Sequence, residues 1–366
     1  MRNGSLHIVS INQDPGISPR RQKGAAVHLN AMRQAFKQLG AHVTGVDESD
    51  EQQVRKSLQD ISERAPISII YERYALGRSS AARFALERSI PYVLEVNAPL
   101  AEEQEFWRGQ LESRKDREED QVIFGAASCI TAVSSAVAKY AKSRGGRNEA
   151  ICVCPNGIDS ALFRTDIKDR KYLPQRPPAG RFVLGFHGRE RPWHGFEMLV
   201  DVTRALLARS YSVHLSVIGN GEFKELARLP PGTYSRKGWV EHEKIPACIS
   251  TFHAMPLTYS PETPCYFSPL KLMESMACGV VPLVPALGDL AEIVEHGVTG
   301  WVYPAGDSEA LFDHLVALIS NRDLHREMST RAAIAAKSYE WRSIARTVLE
   351  YPGLSQCDHR FQKAIA

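Results

Sequence analysis

The sequence predicts an α/β protein made of two doubly wound, Rossmann-like domains. Three observations carry this. Short apolar runs alternate with helical patterns along most of the chain. That rhythm breaks once, at the three-proline stretch Tyr172–Gly180, and then restarts. The length, 366 residues, is more than one ordinary core accommodates.

The first domain opens with a strand over Leu6–Ile11 and a Gly/Pro/Arg loop. A helix then aligns Val27, Ala31, Met32, Ala35, Phe36 and Leu39 on one face and stops at Gly40. Strands are predicted at His42–Val46, Ile67–Tyr71, Tyr92–Val96, Ile130–Val133 and Ile151–Val153, with helices between them. The uncharged span Gln121–Ala138 has the length of a membrane helix but is rich in Ser, Ala and Thr. It reads as helix end, buried strand and helix start. The charged stretch Glu102–Asp120 reads as a solvated helix face. The second domain follows with strands at Phe182–Phe186, Val213–Ile218, Ala254–Pro256 and Val281–Val284. Helices are predicted over Phe196–Ala208 and Leu270–Ala277. The expected boundaries are 1–170, a linker at 171–180, 181–338, and a C-terminal helix within 339–366 that returns to the first domain. Such domains bind ligands at the carboxyl ends of their strands, so the pair is expected to face one another across a cleft.

With 45 Lys and Arg against 42 Asp and Glu, the net charge is +3, which gives no support to nucleic-acid wrapping. Seven scattered cysteines form no CxxC and no zinc ladder, which fits a reducing cytoplasm. No signal peptide or transmembrane segment is read, and peripheral contact with a membrane is left open. No G-x-G-x-x-G follows the first strand, which disfavours a dinucleotide-dependent oxidoreductase. No Asp-x-Asp or metal-spaced His/Asp/Glu cluster appears, so neither a metal nor another cofactor is expected.

The most informative segment is Ser268-Pro-Leu-Lys-Leu-Met-Glu274. Ser268 followed by Pro269 reads as a cap and first helical turn. Proline has no N–H, so the free amides belong to Leu270, Lys271 and Leu272 and form an anion site. Further along the helix, Glu274 is placed to accept hydrogen bonds from paired hydroxyls such as those of a ribose. Read alone, the segment is an ordinary capped helix with a surface glutamate.

It is accompanied by Val153-Cys-Pro-Asn-Gly-Ile-Asp159, Gly188-Arg-Glu-Arg-Pro-Trp-His-Gly195, Val217-Ile-Gly-Asn-Gly221, Gly288-Asp-Leu-Ala-Glu292 and Gly297-Val-Thr-Gly-Trp-Val-Tyr-Pro304. In this order and spacing the motifs, from about residue 6 to Ala345, resemble glycosyltransferase family 4: retaining enzymes of the GT-B fold. More narrowly, the chain resembles a Pro-Trp-His-Gly / Ser-Pro-Leu-Lys subgroup. The resemblance implies transfer of a sugar from a nucleoside diphosphate sugar to the hydroxyl of a carbohydrate, lipid-linked or small-molecule acceptor. The setting it implies is polysaccharide, glycolipid or glycoside biosynthesis. A nucleotide-sugar epimerase and a non-catalytic nucleotide-sugar-binding homologue stay open as alternatives.

The same resemblance assigns residues. Gly24 matches the glycine opening the first helix, Arg189 the arginine neutralising the donor diphosphate, and Glu274 the ribose-binding glutamate. Gly219 lets its loop approach the nucleotide or simply turns the chain. Asn156 and Gly157 read as turn residues. Three positions depart from the family pattern. His194 stands where a lysine is common, Tyr266 where a first glutamate is common, and Asn97 where an active-site histidine is common. Asn97 is expected to touch the transferred sugar, with Glu95, two residues earlier on the same face of its strand, orienting it. Beside a diphosphate, His194 is expected to hold a proton and so to titrate above about 6.5, and His194→Lys to preserve activity. The alternative is that His194 merely packs beside Trp193. His28, Glu72 and Arg73, with Glu95, are candidates for acceptor contact, although for His28 a satisfied surface histidine is the preferred reading.

Overall fold

The computed structural model describes residues 6–17, 24–167 and 177–355, which form two compact units. The first comprises the described residues of Met1–Gly157, Tyr266–Ser268 and Trp341–Ala366; the second comprises those of Ile158–Cys265 and Pro269–Glu340. The division therefore comes at Gly157, earlier than the expected boundary at 170. Most of the expected linker, through residue 176, lies outside the described residues.

In the first unit, β1 (His7–Asn12), β2 (His42–Asp47), β3 (Ile69–Arg73), β4 (Tyr92–Val96), β5 (Cys129–Ala132) and β6 (Ile151–Val153) form one parallel sheet in the order β2-β1-β3-β4-β5-β6. Every residue of β1, β3, β4 and β5 is buried, as a sheet covered on both faces requires. The covering helices are α1 (Gly24–Gln38), α2 (Glu51–Arg64), α3 (Ser80–Arg88), α4 (Leu100–Arg108), α5 (Arg114–Ala126) and α6 (Ser135–Ser143).

Two expectations shift here. β3 starts two residues later than the apolar run suggested and runs on through Glu72 and Arg73, which end it. The stretch Glu102–Asp120 is not a single solvated face. It breaks at Gly109, and Asp120 is fully buried, accepting hydrogen bonds from Tyr74, Gly77 and Arg144. Glu112 pairs with the same arginine. Arg144, which lies outside the acidic stretch, is what makes its burial tolerable.

In the second unit, β7 (Phe182–His187), β8 (Val213–Ile218), β9 (Tyr234–Lys237), β10 (Ala254–Pro256), β11 (Val281–Pro285) and β12 (Trp301–Tyr303) form a second parallel sheet, ordered β12-β11-β10-β7-β8-β9. Its helices are α7 (Phe196–Ala208), α8 (Ile245–Ile249), α9 (Leu270–Ala277), α10 (Leu290–Ile293), α11 (Ser308–Ser320) and α12 (Arg322–Ala336). The chain then closes with α13 (Trp341–Leu349) and α14 (Pro352–Ser355), which belong to the first unit; α13 packs on α1, with Trp341 edge-on to His28. The strand order reverses between β1 and β3 in one sheet and between β7 and β10 in the other. Those reversals open crevices at the carboxyl ends of the strands, and the candidate residues gather there.

Candidate functional site

In the first unit the candidates converge on Glu95, which is 2% exposed. Alternation along β4 sends Glu95 and Asn97 the same way, and the Asn97 amide donates to Glu95 Oε1. Arg73 Nη1 donates to the same oxygen at 2.8 Å, while Tyr71 Oη and His28 Nε2, the latter at 3.0 Å, engage Oε2. Burial alone would penalise the carboxylate, but the charges of His28 and Arg73 and these donated hydrogen bonds hold it well below the usual carboxylate range. His28 is not on the surface, because its ring is buried between Glu95 and Asn156, with Nδ1 2.6 Å from Asn156 Oδ1. The Asn156 side-chain nitrogen donates to the Ser268 carbonyl, which turns its oxygen toward the histidine. Asn156 is therefore more than a turn residue.

Glu72 does not join this group. It points to the other face of β3, where Gln13 and Tyr92 donate to it, and burial pushes its carboxyl up to about 7. Gly24 begins α1 as expected.

Tyr266 and Ser268 also belong to the first unit. The Tyr266 hydroxyl donates to Glu103, and its carbonyl accepts from Ser134 at 2.5 Å. Ser268 Oγ accepts from the Asn156 amide at 3.0 Å, so it does not cap α9; Pro269 occupies the cap position with extended backbone. The free first-turn amides reduce to Leu270 and Lys271, because Leu272 N–H donates to the Pro269 carbonyl at 3.0 Å.

In the second unit, Glu274 is buried on α9 and accepts from His242 Nε2 at 2.8 Å; His187 Nε2 stands 3.7 Å from its other oxygen. Burial works against its charge, but the His242 hydrogen bond and the neighbouring His187, His242 and Lys271 leave its pKa below the ordinary value. His242 is shifted the opposite way, upward, because Glu274 outweighs its own desolvation. Arg189 is exposed in the loop leaving β7. That loop is pinned against the one leaving β8: Glu190 N–H donates to the Asn220 carbonyl, and Glu190 Oε2 accepts from the amides of Glu222 and Phe223. Gly219 (φ +134°) crosses directly over the Gly188 carbonyl, a contact no side chain would permit.

His194 contradicts the sequence expectation. Its ring is 9% exposed, and Lys271 Nζ lies 3.0 Å from Nε2. Burial, followed by the charges of Lys271 and Arg191, pushes its pKa down to about 2 rather than up, so it is neutral at physiological pH. Gly195 (φ +55°) backs onto the Thr258 carbonyl, and Thr258 Oγ1 donates to the His194 carbonyl at 2.9 Å, fixing the ring in place. Phe186, His187, Thr258, Tyr259 and Lys271 line the same small pocket.

The sequence reading missed His187 and His242. His187 could have been found as the last residue of a strand immediately before the Gly188-Arg189 motif. His242 lies 32 residues from Glu274 and carries no local signal. Among the described residues, no group of three or more His, Cys, Asp or Glu side chains could hold a metal ion, and no helix is long and apolar enough to cross a membrane.

Residues 181–321, all within the second unit, match the family model described as glycosyl transferases group 1. Over 255 residues the chain is 25% identical to the D-inositol 3-phosphate glycosyltransferase of Pseudarthrobacter chlorophenolicus, covering 65% of this chain and 58% of that one. It is 26% identical over 203 residues to the phosphatidyl-myo-inositol mannosyltransferase of Mycobacterium leprae, covering 53% and 51%. The chain thus spans little more than half the length of these curated relatives. Among solved structures, Anabaena HepE in complex with UDP and glucose superposes with a TM-score of 0.69 at 22% identity, covering 94% of this chain and 98% of that one. A glycosyltransferase from Rickettsia africae superposes with a TM-score of 0.72 at 13% identity, covering 96% and 98%. These likenesses establish the fold class: α/β with two Rossmann-like, parallel-sheet domains, as in its GT-B structural neighbours.

Proposed function

We propose that the protein is a retaining glycosyltransferase. It would move a sugar from a nucleoside diphosphate sugar to an acceptor hydroxyl without a metal ion. The observation that carries this reading is a single corner of the second unit, at the strand-order reversal. There the free amides of Leu270 and Lys271, the exposed guanidinium of Arg189 and the ionised Glu274 lie within the segment that matches group 1 glycosyl transferases. Amides and guanidinium suit a diphosphate, and a carboxylate suits ribose hydroxyls. A diphosphate held this way departs more readily, because its developing charge meets donors already in place.

In this reading the first unit's part falls to Asn97, held by the Glu95 hub and assigned to the transferred sugar, and to Gly24 at the opening of α1. Glu95 itself is unsuited to act as a nucleophile, since Tyr71, Arg73, His28 and Asn97 already engage its two oxygens. Front-face attack, with the leaving phosphate accepting the acceptor proton, requires no such nucleophile. The relatives' names direct the search for acceptors to polyols and lipid-linked polyols, and the HepE complex makes UDP-glucose the first donor to try.

The test is calorimetric titration with UDP, GDP and ADP, followed by transfer assays with the matching sugar nucleotides, read for anomeric configuration in EDTA. Saturable binding of one diphosphate and transfer with retained configuration are expected. Failure of all three nucleotides to bind would refute the reading. Isomerisation of the donor without an acceptor would favour an epimerase.

A further inference from the structure

The departure at His194 has a counterpart 77 residues away. Lys271 projects from the first turn of α9 to His194 Nε2, with its Nζ 4.9 Å from the Phe186 ring centroid and 5.6 Å from that of Tyr259. A Cβ built on Gly188, the residue before Arg189, would stand 4.0 Å from the same nitrogen. The ammonium therefore lies at the loop that carries the arginine. The other titratable or charged groups around this corner are His187 at the end of β7, Arg191 in the loop after it, Glu274 on α9 and Tyr259 after β10.

We propose that Lys271 is the second cation of the donor diphosphate site, supplied from α9, and that His194, 3.0 Å from its ammonium, is the acceptor that aims it. This rests on the nucleotide-sugar reading above. The chemistry is consistent on both sides. An imidazole lone pair can accept from an ammonium only while that nitrogen is unprotonated, and the packing of His194 keeps it so. The two aromatic faces attract the ammonium without neutralising it, as a carboxylate would. Glu274, on the same helix, is already engaged by His242. Burial pushes the Lys271 ammonium down to about 7 while the charge of Glu274 works the other way, and an arriving diphosphate would stabilise its protonated form. A lysine at position 194 would crowd a second ammonium into the same space, so His194 and Lys271 form one arrangement.

The experiment titrates wild type, Lys271→Met and the double variant His194→Lys/Lys271→Met with whichever of UDP, GDP or ADP the wild type binds, and with the matching nucleoside. Lys271→Met should lose on the order of 10- to 100-fold in diphosphate affinity, the range for a hydrogen bond to a charged group, and leave nucleoside affinity unchanged. The double variant, with its cation returned to the other side of the same corner, should recover most of that loss. Thermal melts check that the variants are folded. Lys271→Met binding the diphosphate like wild type, or losing diphosphate and nucleoside equally, would overturn the assignment. A double variant no better than Lys271→Met would overturn the shared site. Wild type binding no diphosphate at all would overturn the nucleotide-sugar reading, and this assignment with it.

Discussion

At the carboxyl edge of the first sheet, Glu95 receives Tyr71, Arg73, His28 and Asn97, and His28 is held in turn by Asn156. At the corresponding edge of the second sheet, His187 Nε2 and His194 Nδ1 are buried with no hydrogen-bond partner, and Arg189 stands in solvent. Each edge buries one carboxylate and engages it, Glu95 through four side chains and Glu274 through His242; Asn12 Oδ1 on the first and the two imidazole nitrogens on the second are left without a partner. A saturated network fixes side chains in one geometry, which suits a residue that must hold Asn97 still. An edge that keeps an arginine in solvent beside free helix amides suits an arriving anion. The first unit thus reads as positioning, and the second as binding.

The sharpest way to break that contrast is Glu95→Ala. It strips Arg73 and His28 of their buried counter-charge and should cost about 3–5 kcal/mol of stability in chemical denaturation. A change below about 1 kcal/mol would mean that the hub does not hold the first unit together. Next is Glu274→Ala, which should weaken binding of the nucleoside diphosphate by about 1.5–3 kcal/mol in calorimetry, whereas Glu262→Ala, at an exposed position, should leave it unchanged. The reverse ranking would dismiss Glu274 as the ribose ligand.

The smallest effect is in acid. Burial first, then neighbouring cations, depress His187 to about 4 and His194 to about 2. Their contribution is complete above the ordinary value of 6.5 and is lost as pH falls from 6.5 toward 4. Glu95, depressed below its ordinary 4.5, keeps its contribution until pH falls under 4.5. Glu72, raised to about 7, contributes most below 4.5 and loses that contribution as pH rises through 7. Hydrogen exchange corrected for intrinsic rates should show β7 and β8 losing protection between pH 6.5 and 5 while β3 and β4 keep theirs. Simultaneous loss would remove the distinction between the two edges.

The sequence made much of this legible, and the failures share a cause. Period-2 alternation placed Asn97 and Glu95 on one face, and the alternating rhythm located all the strands except β9 and β12. β9 is a partly exposed edge strand of polar residues, Tyr234–Lys237, and β12 is only three residues long. What sequence could not show was partnership at a distance. His28 is buried because of residues 67 and 128 positions away, and His194 is neutral because the fold buries it, beside a lysine 77 positions away. Ser268 looked like a cap until Asn156, 112 residues earlier, claimed its hydroxyl. Local pattern reports which face a side chain occupies, whereas its protonation and hydrogen bonds are decided by the fold.

The assignment of α13 to the first unit has a consequence for synthesis on the ribosome. The second unit is nearly continuous in sequence and is complete once residue 340 has emerged. The first unit begins earlier but finishes later, because Trp341, which packs edge-on to His28 and fills the space beside Gly157, is made only after the entire second unit. Vectorial folding therefore inverts the order of the sequence. The N-terminal half emerges first, yet waits with the seat for Trp341 vacant until the last of the core is translated.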